Sequence, residues 1–370
     1  MPEFICMRES MTASLYGITH SNRNFSDPFY WGKNQFNSSF PVALACYMRD
    51  QNIPGNYLKL NDDMELSCVD LDFSSVFDTQ IPNSDLFFQF ESRYTPFSVY
   101  TNDELKPIDL VIKSRVDEET FLRPLEIKLT TLPDNTTANL SDKEYGCELV
   151  IRNPTTRYMA LSMIHACRNH FDQIREIFDP VCHSVRDWNN QSEMSAKKSA
   201  LFECLELFFQ TFHHLQSPLL MQPVWKTIGK SAVLAENCLD IFLWSDFALT
   251  RLFMSSTEEK DSEKISRPER TALRMARCIY EVASRGKVYQ QSIYDGMTFN
   301  TLNDKEFAIS GARTNAFMRC DRLTTPIITK DKIKEIILGG GQKYLSPERR
   351  FDAIIFFSQE LFNSGEDDEV

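Results

Sequence analysis

Glycine is scarce in this chain, 12 of 370 residues, against 28 phenylalanines. Loops that cradle nucleotide phosphates depend on closely spaced glycines, so a glycine-rich nucleotide-binding architecture is disfavoured and a thick aromatic core is expected. The ten cysteines are dispersed and form no CxxC pair, which argues against a zinc ribbon or a thioredoxin-like motif. No uninterrupted apolar run approaches the ~20 residues of a membrane span. The most apolar stretch, CLDIFLWSDFALT, carries Asp240 and Asp246. The N-terminus, MPEFICMRES, lacks a basic start followed by an apolar run. Internal repeats are absent as well. Together these absences lead us to expect a soluble, intracellular protein with reduced, partly buried thiols and no membrane partner.

What is present is ordinary for a globular chain: 42% hydrophobic and 25% charged residues, enough to bury a sizeable core in one large domain or two moderate ones. The net charge of −12 looks wrong for a protein that meets a polyanion. Its distribution matters more than its sum. Residues 265–350 carry 16 Lys and Arg against 9 Asp and Glu, a local +7 that leaves −19 on the rest. That asymmetry suits a chain touching a polyanion with one region, although a solvated basic helix face gives the same count.

Along the chain, residues 1–30 are polar and turn-rich (THSNRNFSDP) and read as a loosely held arm. KNQFNSSFPVALACYMRDQ predicts a short helix entered through Asn37, Ser38 and Ser39, with Pro41 in its first turn. Short strands and turns follow in PGNYLKLNDDMELSCVDLDFSSVF, then two strand-like segments, PIDLVIKSRV and LRPLEIKLTTL. TTRYMALSMIHACRNHFDQIREIF and KKSALFECLELFFQTFHHLQ have helical apolar spacing, and CLDIFLWSDFAL reads as a strand-like run. RPERTALRMARCIYEVASRGK predicts a basic helix entered through Pro268 and stopped near Gly286. The last part mixes strands and helices before an acidic tail at 363–370, expected to be disordered. The simplest division is the arm, a core over 31–252, a basic C-terminal region over 265–362 packed on that core, and the tail.

Chemistry concentrates in 107–132. Period-two alternation separates Ile108, Leu110 and Ile112 from Asp109, Val111 and Lys113. Leu125, Ile127 and Leu129 share one strand face, Glu126 and Lys128 the other. If the two strands pair, Asp109 joins Glu126 and Lys128 in one space. Two carboxylates supply hard oxygen ligands for Mg²⁺, which also binds phosphate oxygens. A lysine beside them can orient the attacking water and offset charge at phosphorus. Glu-x-Lys occurs three times, at 104–106, 126–128 and 258–260, and only the middle one has a strand context. Spacing alone does not separate it from an exposed Glu–Lys pair on a strand face.

PIDLVI followed by LEIK resembles the PD-(D/E)XK nuclease signature, with Pro-Asp appearing here as Pro107-Ile108-Asp109. KNQFNSSFPVALACYM, PLEIKLTTLPDNTT and QPVWKTIGKSAVLAENCLDIFLWSDFALTRLF resemble the HindVP family of type II restriction endonucleases over roughly residues 29–252. The resemblance implies an α/β fold, a nuclease core with a mixed central sheet flanked by helices, plus helical elaborations. It implies Asp109 and Glu126 as Mg²⁺ ligands, with Mn²⁺ able to substitute, and Lys128 as the residue serving the attacking water. Many such nucleases add an upstream helical acid, for which Glu91 is the candidate. Further implications are double-stranded DNA as substrate, possible cleavage at GRCGYC, a homodimer matching that palindrome, a cognate DNA methyltransferase as genetic partner, and the cytoplasm of a prokaryotic cell. A non-catalytic DNA-binding protein with a degenerate core, or a repair nuclease of the same superfamily, stays open.

For DNA contact, Arg313, Asn315, Arg319 and Arg322 in SGARTNAFMRCDRLTT suit base readout in the major groove. Arg270, Arg274 and Arg277 recur at three-to-four spacing, a helical stripe suited to phosphates or, equally, to surface ion pairs. Other motifs carry less. His165 and His170 bracket Cys167, but five-residue spacing places the histidines on different helix faces. TIGKS at 227–231 lacks the earlier glycine of a phosphate loop, and LGGGQK at 338–343 reads as a helix end.

Overall fold

The computed structural model describes residues 20–22, 33–117, 120–127, 149–223, 226–228, 231–233, 241–255, 264–299 and 305–309. In chain order they form α1 (Lys33–Asp50), β1 (Gly55–Leu60), β2 (Leu66–Leu71), α2 (Phe73–Val76), β3 (Leu86–Ser92), β4 (Ile108–Ser114), β5 (Phe121–Ile127) and β6 (Leu149–Arg152). Then come α3 (Asn153–Ala166), α4 (Phe171–Cys182), α5 (Gln191–Phe212), β7 (Pro218–Pro223), β8 (Lys226–Ile228), β9 (Ser231–Val233) and β10 (Ile241–Ser245). α6 (Asp246–Ser255), α7 (Arg267–Arg285), α8 (Gln290–Gly296) and β11 (Lys305–Ile309) complete the set.

Seven strands make one mixed sheet in the order β2-β1-β10-β7-β5-β4-β3. The pairs β1–β10 and β5–β7 are parallel and the others antiparallel. The sheet is buried on both faces, and successive residues divide between them as strand geometry requires. Leu110, Ile112, Leu125, Ile127, Met221 and Leu243 pack with α1 and α2 through Val42, Phe73 and Phe77. Their neighbours Val111, Leu220 and Trp244 pack on the opposite face with α3, α5, α6 and α7. Each fully buried Leu or Phe contributes about 1.5–3 kcal/mol. The expected α/β architecture, a mixed sheet between helices, is the one found.

Local chemistry sets the element ends. α7 opens with a capping box, Ser266 accepting from the Glu269 N–H and Glu269 from the Ser266 N–H, and closes at Gly286 with φ 76°. α5 is capped by Asn190, whose side chain accepts from the Glu193 N–H. Three expectations need correction. Pro41 lies inside α1 rather than in its first turn, because the helix already starts at Lys33. The helical pattern across 155–178 is two helices, broken at Cys167–His170, where the His170 N–H turns back to the Cys167 carbonyl. The run CLDIFLWSDFAL is part strand and part helix: Ser245 Oγ accepts from the Ala248 N–H at 2.9 Å and turns the chain from β10 into α6.

Within the polar arm, His20 to Asn22 lie along the outer edge of β3. Ser21 bridges Phe88 in parallel, and the Asn22 side chain both donates to the Phe90 carbonyl and accepts from its N–H. These bonds cover part of the sheet edge at β3. The acidic tail lies outside the described residues. Among the described residues no helix is long and apolar enough to cross a membrane, and Cys46, Cys167, Cys182, Cys204 and Cys278 are buried free thiols.

Candidate active site

The two carboxylates singled out above meet across β4 and β5. Leu110 stands opposite Leu125 and Val111 opposite Pro124, so the next step of the antiparallel ladder sets Asp109 across from Glu126. Asp109 is half-buried and reaches the neighbouring strand, where its Oδ2 accepts from the Ile127 N–H at 2.8 Å. Glu126 is buried at 7% exposure, and its Oε1 accepts from Thr155 Oγ1 at 2.9 Å. Both point away from the Leu110–Leu125 core, toward the α3 side of the sheet. Burying a carboxylate without such partners is costly.

Glu91, expected on a helix, lies instead on β3 at the same level. Phe90 pairs with Leu110 and Ser92 with Ile108, which brackets Glu91 opposite Asp109. Glu91 is exposed and has φ 49°, a left-handed backbone that a non-glycine residue rarely adopts. Among the described residues no group of three His, Cys, Asp or Glu is close enough to hold a metal, so Glu91 does not join Asp109 and Glu126 in a ready three-carboxylate set. Lys128 lies outside the described residues, one position beyond the end of β5.

The donor chemistry of Asp109 and Glu126 fits a hard divalent cation. Both are carboxylates, and a carboxylate can accept hydrogen bonds while also ligating a metal. Sequence reasoning did not find Thr155 or Tyr158, which hold these strands from α3. Tyr158 donates to the Lys106 carbonyl at 2.8 Å and accepts from the Tyr94 N–H at 3.2 Å, just ahead of Asp109. Polar residues at three-residue spacing after a helix-starting Pro154 were the available signal, but sequence alone does not say what that helix faces.

The arginines of α7 are elsewhere than expected. Arg270 and Arg274 are 1% and 2% exposed, and both form ion pairs with buried Glu306 on β11. Arg274 also donates to the Tyr294 carbonyl at 2.5 Å, with its guanidinium over the Tyr294 ring. Burial pushes both guanidinium groups down from their ordinary pKa, while Glu306 opposes the shift. Arg277 pairs with Glu281 at 2.7 Å and lies over Trp188. Arg270 and Arg274 are therefore an internal strut rather than an open phosphate-binding face, while Arg277 is half-buried. Arg313, Asn315, Arg319 and Arg322 lie outside the described residues. His165 bonds the Tyr100 hydroxyl through Nδ1 at 3.1 Å and packs on Phe97, whereas His170 begins α4.

A mixed sheet flanked by helices, with paired carboxylates on adjacent strands, is the arrangement of an α/β nuclease core. The chain belongs to the HindVP restriction endonuclease family, whose model matches residues 31–362. It is 41% identical over 351 residues to the type II restriction enzyme HgiDI of Herpetosiphon aurantiacus, covering 94% of this chain and 96% of that one. It is 40% identical over 349 residues to the probable type II restriction enzyme HindVP of Haemophilus influenzae, covering 94% of each. No solved structure matches the chain.

Proposed function

We propose that this endonuclease hydrolyses phosphodiester bonds of double-stranded DNA at a specific sequence, using Mg²⁺ held by Asp109 and Glu126. The cross-strand placement of the two carboxylates, each fixed by a hydrogen bond, carries this reading. Bound Mg²⁺ supplies a Lewis acid for the phosphoryl oxygen and lowers the pKa of a coordinated water. Lys128 orients the attacking water and offsets the negative charge that grows on phosphorus as the new P–O bond forms and the ester bond breaks. Mn²⁺ serves in place of Mg²⁺, whereas Ca²⁺, with looser coordination, supports binding without turnover.

By likeness to its family, the target proposed is GRCGYC, read by a homodimer whose two-fold axis matches the palindrome. Such an enzyme requires a methyltransferase of the same specificity to protect the host DNA. Arg313, Asn315, Arg319 and Arg322 are proposed to read bases, since forked donors suit guanine in the major groove.

Digestion of a long mixed-sequence DNA with Mg²⁺, followed by sequencing of the fragment ends, tests this. Ends that all fall at GRCGYC, and disappear in EDTA, are expected. Full activity in EDTA rejects the metal assignment, and ends at another fixed sequence reject the target while leaving the chemistry.

A further inference from the structure

Pairing of β4 with β5 brings Asp109 and Glu126 together, but it does not fix the direction in which the Glu126 carboxylate turns. Thr155 does. In the first turn of a helix a threonine hydroxyl commonly bonds local backbone, and Thr156 does so, donating to the Asn153 carbonyl at 3.1 Å. Thr155, 1% exposed, instead sends its hydroxyl across to the sheet and donates to Glu126 Oε1 at 2.9 Å. Tyr158 lies three residues on, a spacing that shares one helix face. Its hydroxyl pins the Lys106 carbonyl at the entry to β4. One face of α3 thus holds both carboxylate-bearing strands.

That face is itself held from behind. Thr156 Oγ1 meets the Tyr294 hydroxyl at 3.0 Å, and Arg274 donates to the Asn153 side chain at 3.4 Å while locked to Glu306 at 2.5 Å. The buried ion pair, the first turn of α3, Thr155 and Glu126 form one connected chain of contacts.

We infer that Thr155 is a positioning residue for the reaction: its hydroxyl fixes the rotation of the Glu126 carboxylate so that the oxygen not bonded to it is presented to a metal shared with Asp109. This rests on the reading that Asp109 and Glu126 hold the metal. Partners of metal ligands orient them and set their basicity, and their loss typically lowers affinity or activity 10–100-fold.

The test compares wild type with Thr155→Val, which keeps shape without the hydroxyl, Thr155→Ser, which keeps the hydroxyl, and Thr155→Ala. The readouts are kcat and KM on a duplex carrying the target, Mn²⁺ affinity of the intact protein by calorimetry, and thermal unfolding. Val and Ala should lower kcat about 10–100-fold and weaken Mn²⁺ binding by a similar factor, with KM for DNA unchanged. Ser should restore both readouts to near wild type. If Val does not fold, the Ala and Ser variants carry the comparison. Wild-type kcat and Mn²⁺ affinity in Val or Ala overturn the inference, as does a Ser variant as impaired as Ala. Asp109→Ala separates the levels: an active Asp109→Ala removes the site itself, whereas an inactive one beside a fully active Thr155→Val removes only the role of Thr155.

Discussion

Arg274 shows how a single side chain changes meaning once its surroundings are known. In sequence it belongs to a basic stripe; in the fold it neutralises Glu306 inside the protein. Removing one partner of a buried ion pair costs up to about 3–5 kcal/mol, and Arg270, 3.5 Å from Glu306, would still compensate part of its charge. Arg274→Ala is therefore expected to lower unfolding free energy in urea by up to that amount, and an unchanged midpoint counts against the strut. Asp246 makes a second prediction at this scale. It is fully buried at the start of α6, and desolvation pushes its carboxyl up to about 6 despite hydrogen bonds from Ser217, Phe247 and Ser162. An acid raised in the folded state binds more protons folded than unfolded between its two pKa values. Its contribution to stability is thus greatest in the protonated form and falls as pH rises from about 4 toward 6. Asp246→Asn should flatten that part of the stability–pH curve, measured by thermal unfolding across this window; an unchanged slope argues against the shift.

At the scale of elements, much was readable because local signals and burial agreed. In PIDLVIKSRV and PLEIK the strands pair so that Leu110, Ile112, Leu125 and Ile127 enter one core and Asp109 with Glu126 faces the other side, whereas Ile108, expected with Leu110 and Ile112, packs in the opposite core with Val111. The ends of α7 follow from Ser266, Glu269 and Gly286. What misled was information held far along the chain. The interior position of α7 depends on Glu306, 32 residues beyond Arg274, and on packing from α3, α4, α5 and α6. The role of Thr155 depends on which strand its helix covers. Gly286 gives an element-scale prediction. Its φ of 76° leaves open space for a Cβ but suits few side chains. Gly286→Ala should destabilise by about 1 kcal/mol through backbone strain alone, read as a lower unfolding midpoint with unchanged DNA cleavage. A neutral effect means the α7 cap adapts.

For the whole molecule, the −12 chain approaches a polyanion, so attraction has to be local. With Arg270 and Arg274 inside the protein, the reading surface is proposed at Arg313 to Arg322. Arg313→Ala or Arg319→Ala should weaken binding to the target duplex by about 1–3 kcal/mol while leaving a scrambled duplex unaffected. Titrations at two salt concentrations check this, and equal losses on both duplexes reduce these arginines to phosphate contacts. The central claim, that Asp109 and Glu126 form the metal-holding pair with Lys128 beside them, has a more direct test. Cleavage with Mg²⁺ and specific binding with Ca²⁺ should be measured on one target-containing duplex for wild type, Asp109→Ala and Lys128→Ala. The account predicts no cleavage by either variant, with target binding retained by Lys128→Ala. Turnover at the wild-type rate by either variant contradicts it.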